Sequence, residues 1–140
     1  MTKRKLIAKA ILLDDEGRLL SLRRSSTDPH RPGGKDFPGG TVEDGEHLEQ
    51  AVIREIEEEV GIVLREDQVA LAYATTTFFD GINDMRFLFV GRVKTGTPVK
   101  LSWEHDAYVW ATPSEHLKDF KHPVWSEGLK YLLEHDLLPR

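Results

Sequence analysis

Residues 40–62 read GTVEDGEHLEQAVIREIEEEVGI, and the rest of the chain is built around them. Leu48, Val52, Ile56 and Val60 form an apolar stripe at helical spacing, so residues 46–60 are expected to be a helix stopped by Gly61. At 100° per residue, Glu55, Glu58 and Glu59 share an arc of about 100°. Glu55 and Glu59 are a like-charge i,i+4 pair, which costs a few tenths of a kcal/mol. Glu57, Glu58 and Glu59 also crowd the helix end whose dipole prefers cations. Glu55 and Glu59 lie at the edge of the apolar stripe, where a carboxylate is turned toward partly buried space. A solvated acidic face would not place them there. A bound cation would offset the repulsion, and hard oxygen donors suit Mg²⁺ or Mn²⁺ better than Zn²⁺.

Working outward, the chain has 140 residues and is expected to form one domain over residues 1–140. It carries 19 Lys and Arg against 24 Asp and Glu, a net charge of -5, which argues against a nucleic-acid polymer as partner. There is no Cys, which removes disulfides, thiolate zinc sites and Cys nucleophiles. The basic start followed by an apolar run broken at Lys9 reads as a first strand, not a signal peptide, and the expected location is the cytoplasm with no membrane contact.

Residues 5–13 are apolar on both faces, as a strand buried on both sides would be. Residues 18–24 read as its hairpin partner across the turn at 14–17, and residues 25–35 as a long exposed loop. Residues 69–77 and 85–93 look like strands around a turn at Asp80-Gly81. Met85, Phe87 and Phe89 alternate with Arg86, Leu88 and Val90. Shorter strands are expected at 99–103 and 108–112. Pro113 opens a short helix and residues 124–135 form a final one. Together these give an α/β fold with a mixed sheet covered by helices on both faces.

Gly40, Glu46, Arg54, Glu55, Glu58, Glu59 and Gly61, with the aliphatic Ile56 and Ile62, match every specified position of the Nudix box. At roughly 6% background per fixed residue, a chance match in a chain of this length falls far below about one in a million. The chain therefore resembles Nudix hydrolases. Phe37-Pro38-Gly39 is similar to the lead-in common there, and Arg23-Arg24 resembles MutT-like nucleoside triphosphatases.

The resemblance implies an α/β/α sandwich and hydrolysis of a nucleoside diphosphate linked to a further group X. It implies Glu55, Glu58 and Glu59 as metal ligands for Mg²⁺, with Mn²⁺ as a substitute, and the Gly39 carbonyl as another oxygen. Arg54 would hold the carboxylates and Glu46 would orient the loop and helix. Either Glu58 or Glu104, which stands six residues before Trp110, would accept the proton of the attacking water. The substrate side would involve Gly40. Arg23 and Arg24 either clamp phosphates or form an ion pair at the strand edge. Phe37 either lines the base pocket or is plain core. His122 and Trp125 stand where relatives often contact a base. Lys35 replaces an aromatic residue frequent at that position.

Phe78 and Phe79 are expected in the core in preference to stacking a base. His30, His47, His105, His116 and His135 are expected at the surface. The downstream Pro or Tyr tags of ADP-ribose and diadenosine polyphosphate enzymes are missing: Thr77, Phe78 and Phe79 occupy that region and the first Pro after the box is Pro98. This leans toward a (deoxy)nucleoside triphosphate as a small-molecule substrate, with the protein itself expected to be a monomer or homodimer. A non-catalytic nucleotide sensor, and hydrolysis of a dinucleotide or nucleotide sugar, stand as alternatives.

Overall fold

The computed structural model describes residues 3–29 and 31–139. Eleven residues, Lys3–Leu13, form strand β1, which runs parallel to β6 (Ile82–Arg92) along its whole length. Strand β5 (Val69–Phe79) is antiparallel to β6 across the two-residue turn at Asp80-Gly81. On the other side of β1, β4 (Gly39–Thr41) pairs antiparallel at Ile7, Ala8 and Lys9. Strand β2 (Leu19–Arg24) pairs with β1 only at Leu13 and Leu19. Its full-length partner is β7 (His105–Ala111), and β3 (Lys35–Asp36) pairs with its end. The expected hairpin of residues 5–13 with 18–24 is thus open beyond its first pair, because β4 takes the place beside β1.

Alternation along β1 divides the core. Ala8, Ala10 and Leu12 pack with Phe89 of β6 and with Ala51, Val52, Ile56 and Val60 of helix α1 (Leu48–Val60). Ile7, Ile11 and Leu13 pack with Leu88 and with Trp125, Leu129, Leu132 and Leu133 of helix α3 (Pro123–Glu134). Helix α2 (Pro113–Asp119) packs on α3, and Thr112 caps it by accepting the Glu115 N–H at 3.2 Å. A mixed sheet with α1 on one face and α2 and α3 on the other is the α/β/α sandwich expected. Among the described residues no helix is long and apolar enough to cross a membrane.

Several expectations are corrected. Helix α1 starts at Leu48, with Glu46 in the preceding turn, where its carboxylate accepts the Glu43 N–H at 2.8 Å. Residues 99–103 are not a strand. They run across the end of α1, where Lys100 and Ser102 N–H groups bond the Val60 and Glu59 carbonyls at 2.8 and 3.0 Å. Phe78 and Phe79 are exposed, the latter at 82%, because the β5–β6 hairpin tip extends beyond both helical layers. His105 and His116 are buried at 5% and 1%, while His47 and His135 are at the surface. His116 Nε2 lies 2.8 Å from the Leu19 carbonyl, which gives a buried ring a partner. His30 lies outside the described residues.

Phe37 is fully buried and stacks on Phe120 with centroids 4.6 Å apart. Its side chain is core, and it does not line the cleft described below. Phe37→Ala should lower the unfolding free energy by about 3–5 kcal/mol. Urea unfolding of the two proteins measures this, and a loss below about 1 kcal/mol would contradict the core assignment.

Candidate active site

A cleft of about 460 Å³ opens where β1 and β2 part. Glu55, Glu58 and Glu59 of α1 line it, with Gly39 and Gly40 of β4 and, from the loop before β7, Glu104. Box carboxylates and Glu104 therefore line one space. Arg24, Arg31, Lys35, Arg86 and His122 line it too, giving an acidic and a basic side.

The acidic side is organised by Arg54. Its Nε and Nη2 bond Glu46 at 2.8 and 2.9 Å, and its Nη1 reaches Glu55 at 3.0 Å and Glu58 at 3.3 Å. Nη2 also donates to the Thr41 carbonyl at 3.2 Å, tying α1 to β4. The Arg54 hydrogen bonds pull the Glu46 carboxyl down to about 2. Glu59 is 3% exposed and accepts the Gly39 N–H at 3.0 Å. Burial pushes its carboxyl up to about 8, against the opposing pull of the Lys9 charge and the Gly39 N–H. Burial raises Glu55 as well, although Arg54 opposes it. Glycine is required at position 39, where backbone leaves no room for a side chain, and at position 40 it lets the Glu55 carboxyl pack closely. A Cβ on Gly39 would lie 2.2 Å from the Ala8 carbonyl oxygen, and one on Gly40 would lie 2.7 Å from the Glu55 carboxyl carbon.

These donors fit a hard divalent cation: all are oxygen, and burial penalises the ionised Glu55 and Glu59 carboxylates, a penalty that a bound cation would relieve. Among the described residues, no three His, Asp or Glu side chains already converge as a metal cage. Arg54 draws Glu55 and Glu58 to itself, and the Gly39 amide holds Glu59.

Three cleft residues, Lys9, Asp36 and His105, were missed as a group in the sequence. Lys9 is buried, and its Nζ donates to Asp36 Oδ2 at 2.9 Å. Arg24 Nη1 reaches the same oxygen at 2.9 Å, and His105 Nε2 lies 3.4 Å from it. Burial alone would raise the Asp36 carboxyl, but Lys9, His105 and Arg24 hold it well below the usual carboxylate range. The available signal was Lys9 itself, a lone charge inside an apolar run. Arg24 lines the cleft, but its other terminal nitrogen pairs with Asp28 at 2.9 Å. Arg23 is not brought into the cleft. It projects from the opposite face of β2 and pairs with Asp106 at 2.7 Å. Lys35 lines the cleft near Asp119, at 3.3 Å.

On the basic side, the Arg86 guanidinium carbon lies 5.5 Å from the Trp125 ring centroid, a cation–π contact. His122 caps α3, its Nδ1 accepting the Val124 and Trp125 N–H groups at 3.2 and 3.4 Å. Burial, with Arg31 and Arg86 nearby, drives its pKa down to about 4.

The sandwich and its carboxylate-lined cleft define a class of α/β proteins built around one acidic helix and a glycine strand. The NUDIX domain family matches residues 3–133, and the chain belongs to that family. It is similar to the 8-oxo-dGTP diphosphatase of Escherichia coli K12, 43% identical over 60 residues, which are 43% of this chain and 46% of that protein. It is also similar to the nucleoside triphosphatase NudI of E. coli O139:H28, 30% identical over 112 residues, 74% of this chain and 79% of that one. The chain thus spans about half the length of the first of these relatives. A MutT protein from Methanosarcina mazei Go1 has a similar structure, with a TM-score of 0.83, 25% identity and 96% of each chain covered.

His122 gives a stability test. Below its ordinary value of 6.5 the unfolded chain takes up a proton that the folded chain refuses until about 4, so this group's contribution falls as pH drops through that window. His122→Ala removes the cap and should cost about 1 kcal/mol at pH 7. The gap between wild type and variant in urea unfolding should narrow at pH 5, and a wider gap there would contradict the neutral, accepting His122.

Proposed function

We propose that the chain is a divalent-cation-dependent pyrophosphohydrolase. Its substrate is a nucleoside diphosphate linked to X, with a (deoxy)nucleoside triphosphate favoured and cleaved to the monophosphate and pyrophosphate. The observation that carries this reading is that Glu55, Glu58 and Glu59 of α1 and Glu104 of the loop before β7 line one cleft together with Arg24, Arg31, Lys35 and Arg86. The activities named for the two bacterial relatives support it. The partner is a small nucleotide and the proposed setting is the cytoplasm.

Mg²⁺, with Mn²⁺ as substitute, would be held by Glu55, Glu58 and Glu59, with the Gly39 carbonyl, which also accepts from Lys9 at 3.3 Å, offering its second lone pair. There it would neutralise phosphoryl charge and make water more acidic. The chain supplies the rest. Arg54 fixes Glu55 and Glu58 against α1, and Glu46 fixes Arg54. Arg86 and Lys35 face the substrate's negative charge from the opposite wall. Glu104 and Glu58 are the two candidates for taking the proton from water, and Glu104 is proposed for this role because it comes from a different element than the box carboxylates.

Nucleoside triphosphates, 8-oxo-dGTP, dinucleoside polyphosphates and nucleotide sugars, each with Mg²⁺, test the reading by release of phosphate or pyrophosphate. A triphosphate should release pyrophosphate, and excess chelator should abolish turnover. No cation-dependent release from any compound would refute the proposal. Glu59→Gln should remove most activity and slightly stabilise the cation-free protein, since a buried carboxyl is neutralised. Glu104→Gln should lower kcat by about 10² or more. Its unfolding free energy should stay within about 0.5 kcal/mol of wild type. An unchanged kcat would assign the base to Glu58.

A further inference from the structure

Lys9 is the one charged residue between Leu6 and Leu13, and it is buried. Its three ammonium hydrogens meet three acceptors, all from one short segment. Asp36 Oδ2 lies at 2.9 Å, the Phe37 carbonyl at 3.2 Å and the Gly39 carbonyl at 3.3 Å. The Gly39 residue is thereby held at both ends by buried ionisable side chains. Its N–H donates to Glu59 at 3.0 Å, and its carbonyl accepts from Lys9. Gly40, next along, lies so close to Glu55 that a Cβ there would collide with the carboxylate.

We infer that Lys9, locked by Asp36, is a positioning residue that sets the depth of the Gly39–Gly40 strand and so aims Glu55 and Glu59 into the cleft. This rests on the proposed function only in taking a divalent cation as the probe of that wall. The competing view is that Lys9 is merely a positive charge beside carboxylates. The two views predict opposite signs. A bare charge repels a divalent cation, so its removal tightens cation binding. A positioning residue leaves the wall misaligned when removed, so binding weakens. Asp36 at 2.9 Å offsets part of the Lys9 charge, and the three bonds from Lys9 to one short segment fix its geometry, so loss of positioning is expected to outweigh loss of charge.

The test uses the full chain and Mn²⁺ alone, without substrate. Mn²⁺ affinity is measured by calorimetry and electron paramagnetic resonance for wild type, Lys9→Met and Lys9→Gln, beside melting curves and hydrogen exchange of the Gly39 amide. Lys9→Met should weaken Mn²⁺ binding at least tenfold and speed exchange at Gly39. Lys9→Gln, which keeps a donor, should recover part of both. Equal or tighter Mn²⁺ binding in the folded variants overturns the inference, as does a lowered melting point with unchanged affinity. If Lys9→Met does not fold, Lys9→Gln decides by the same two readouts. If wild type itself binds no Mn²⁺, the functional reading fails. Gly39 exchange then decides Lys9 by itself, and a rate unchanged in the variants overturns its role.

Discussion

The packing of Gly39 against β1 is the contact on which the site depends. Its φ is 140°, and a side chain there would strike the Ala8 carbonyl oxygen and the Lys9 Cα, at 2.2 and 2.5 Å. With hydrogen alone at that position, β4 occupies the ladder position beside β1 that β2 would otherwise fill. β2 is then left in contact with β1 at one end and paired to β7 instead. The cleft is the gap between the diverging strands. The same strand lies under α1, so its amide and its second glycine meet Glu59 and Glu55. One steric fact therefore produces both the opening in the sheet and its carboxylate wall.

That wall is expensive in electrostatic terms. Glu59, Asp36, Lys9 and His105 are all buried, and a buried charge is tolerated only with partners. The partners divide into two sets. Lys9, Arg24 and His105 converge on one oxygen of Asp36, which closes a network across β1, β2, β3 and β7. Arg54 serves the more exposed Glu46, Glu55 and Glu58 on its own. Glu59 has only a backbone amide and the Lys9 charge to oppose its burial, and its carboxyl is pushed up accordingly. Conflict of this kind between local rules and burial is what a binding site imposes on a fold.

Most of the frame was legible because it rests on periodicity. The two-faced apolar pattern of β1, the stripe of α1 and the Pro-initiated helices each encode a local structure without reference to the rest of the chain. The box was legible because its spacing places three carboxylates on one arc. What escaped depends on pairs distant in sequence. Lys9 and Asp36 are separated by 27 positions and Asp36 and His105 by 69, so neither residue declares its partner. His116 looked like a surface residue because its partner, the Leu19 carbonyl, is a backbone atom that no side-chain pattern reveals. Phe78 and Phe79 looked like core because large aromatic side chains are usually buried. Burial, however, depends on where the covering helix ends. Arg23 and Arg24 were ambiguous because adjacent strand residues face opposite sides, and only β7 and β3 decide which side is the cleft.

The segment misread as a strand supplies the last step. Carbonyls at the end of α1 have no partner within the helix. Gly61 turns the chain and donates to the Glu57 carbonyl at 3.0 Å, but Val60 and Glu59 remain to be satisfied. The Lys100 and Ser102 amides do this at 2.8 and 3.0 Å, which draws residues 99–103 across the helix end. Two residues after Ser102, Glu104 enters the cleft, and its carbonyl is fixed by the Ser25 N–H at 2.9 Å. The bonds that finish α1 therefore also deliver the second wall's carboxylate to the first wall's. A strand pattern at 99–103 would have met the backbone's demand for partners on a sheet edge. The helix end meets the same demand, and only that solution places Glu104 opposite Glu55 and Glu59.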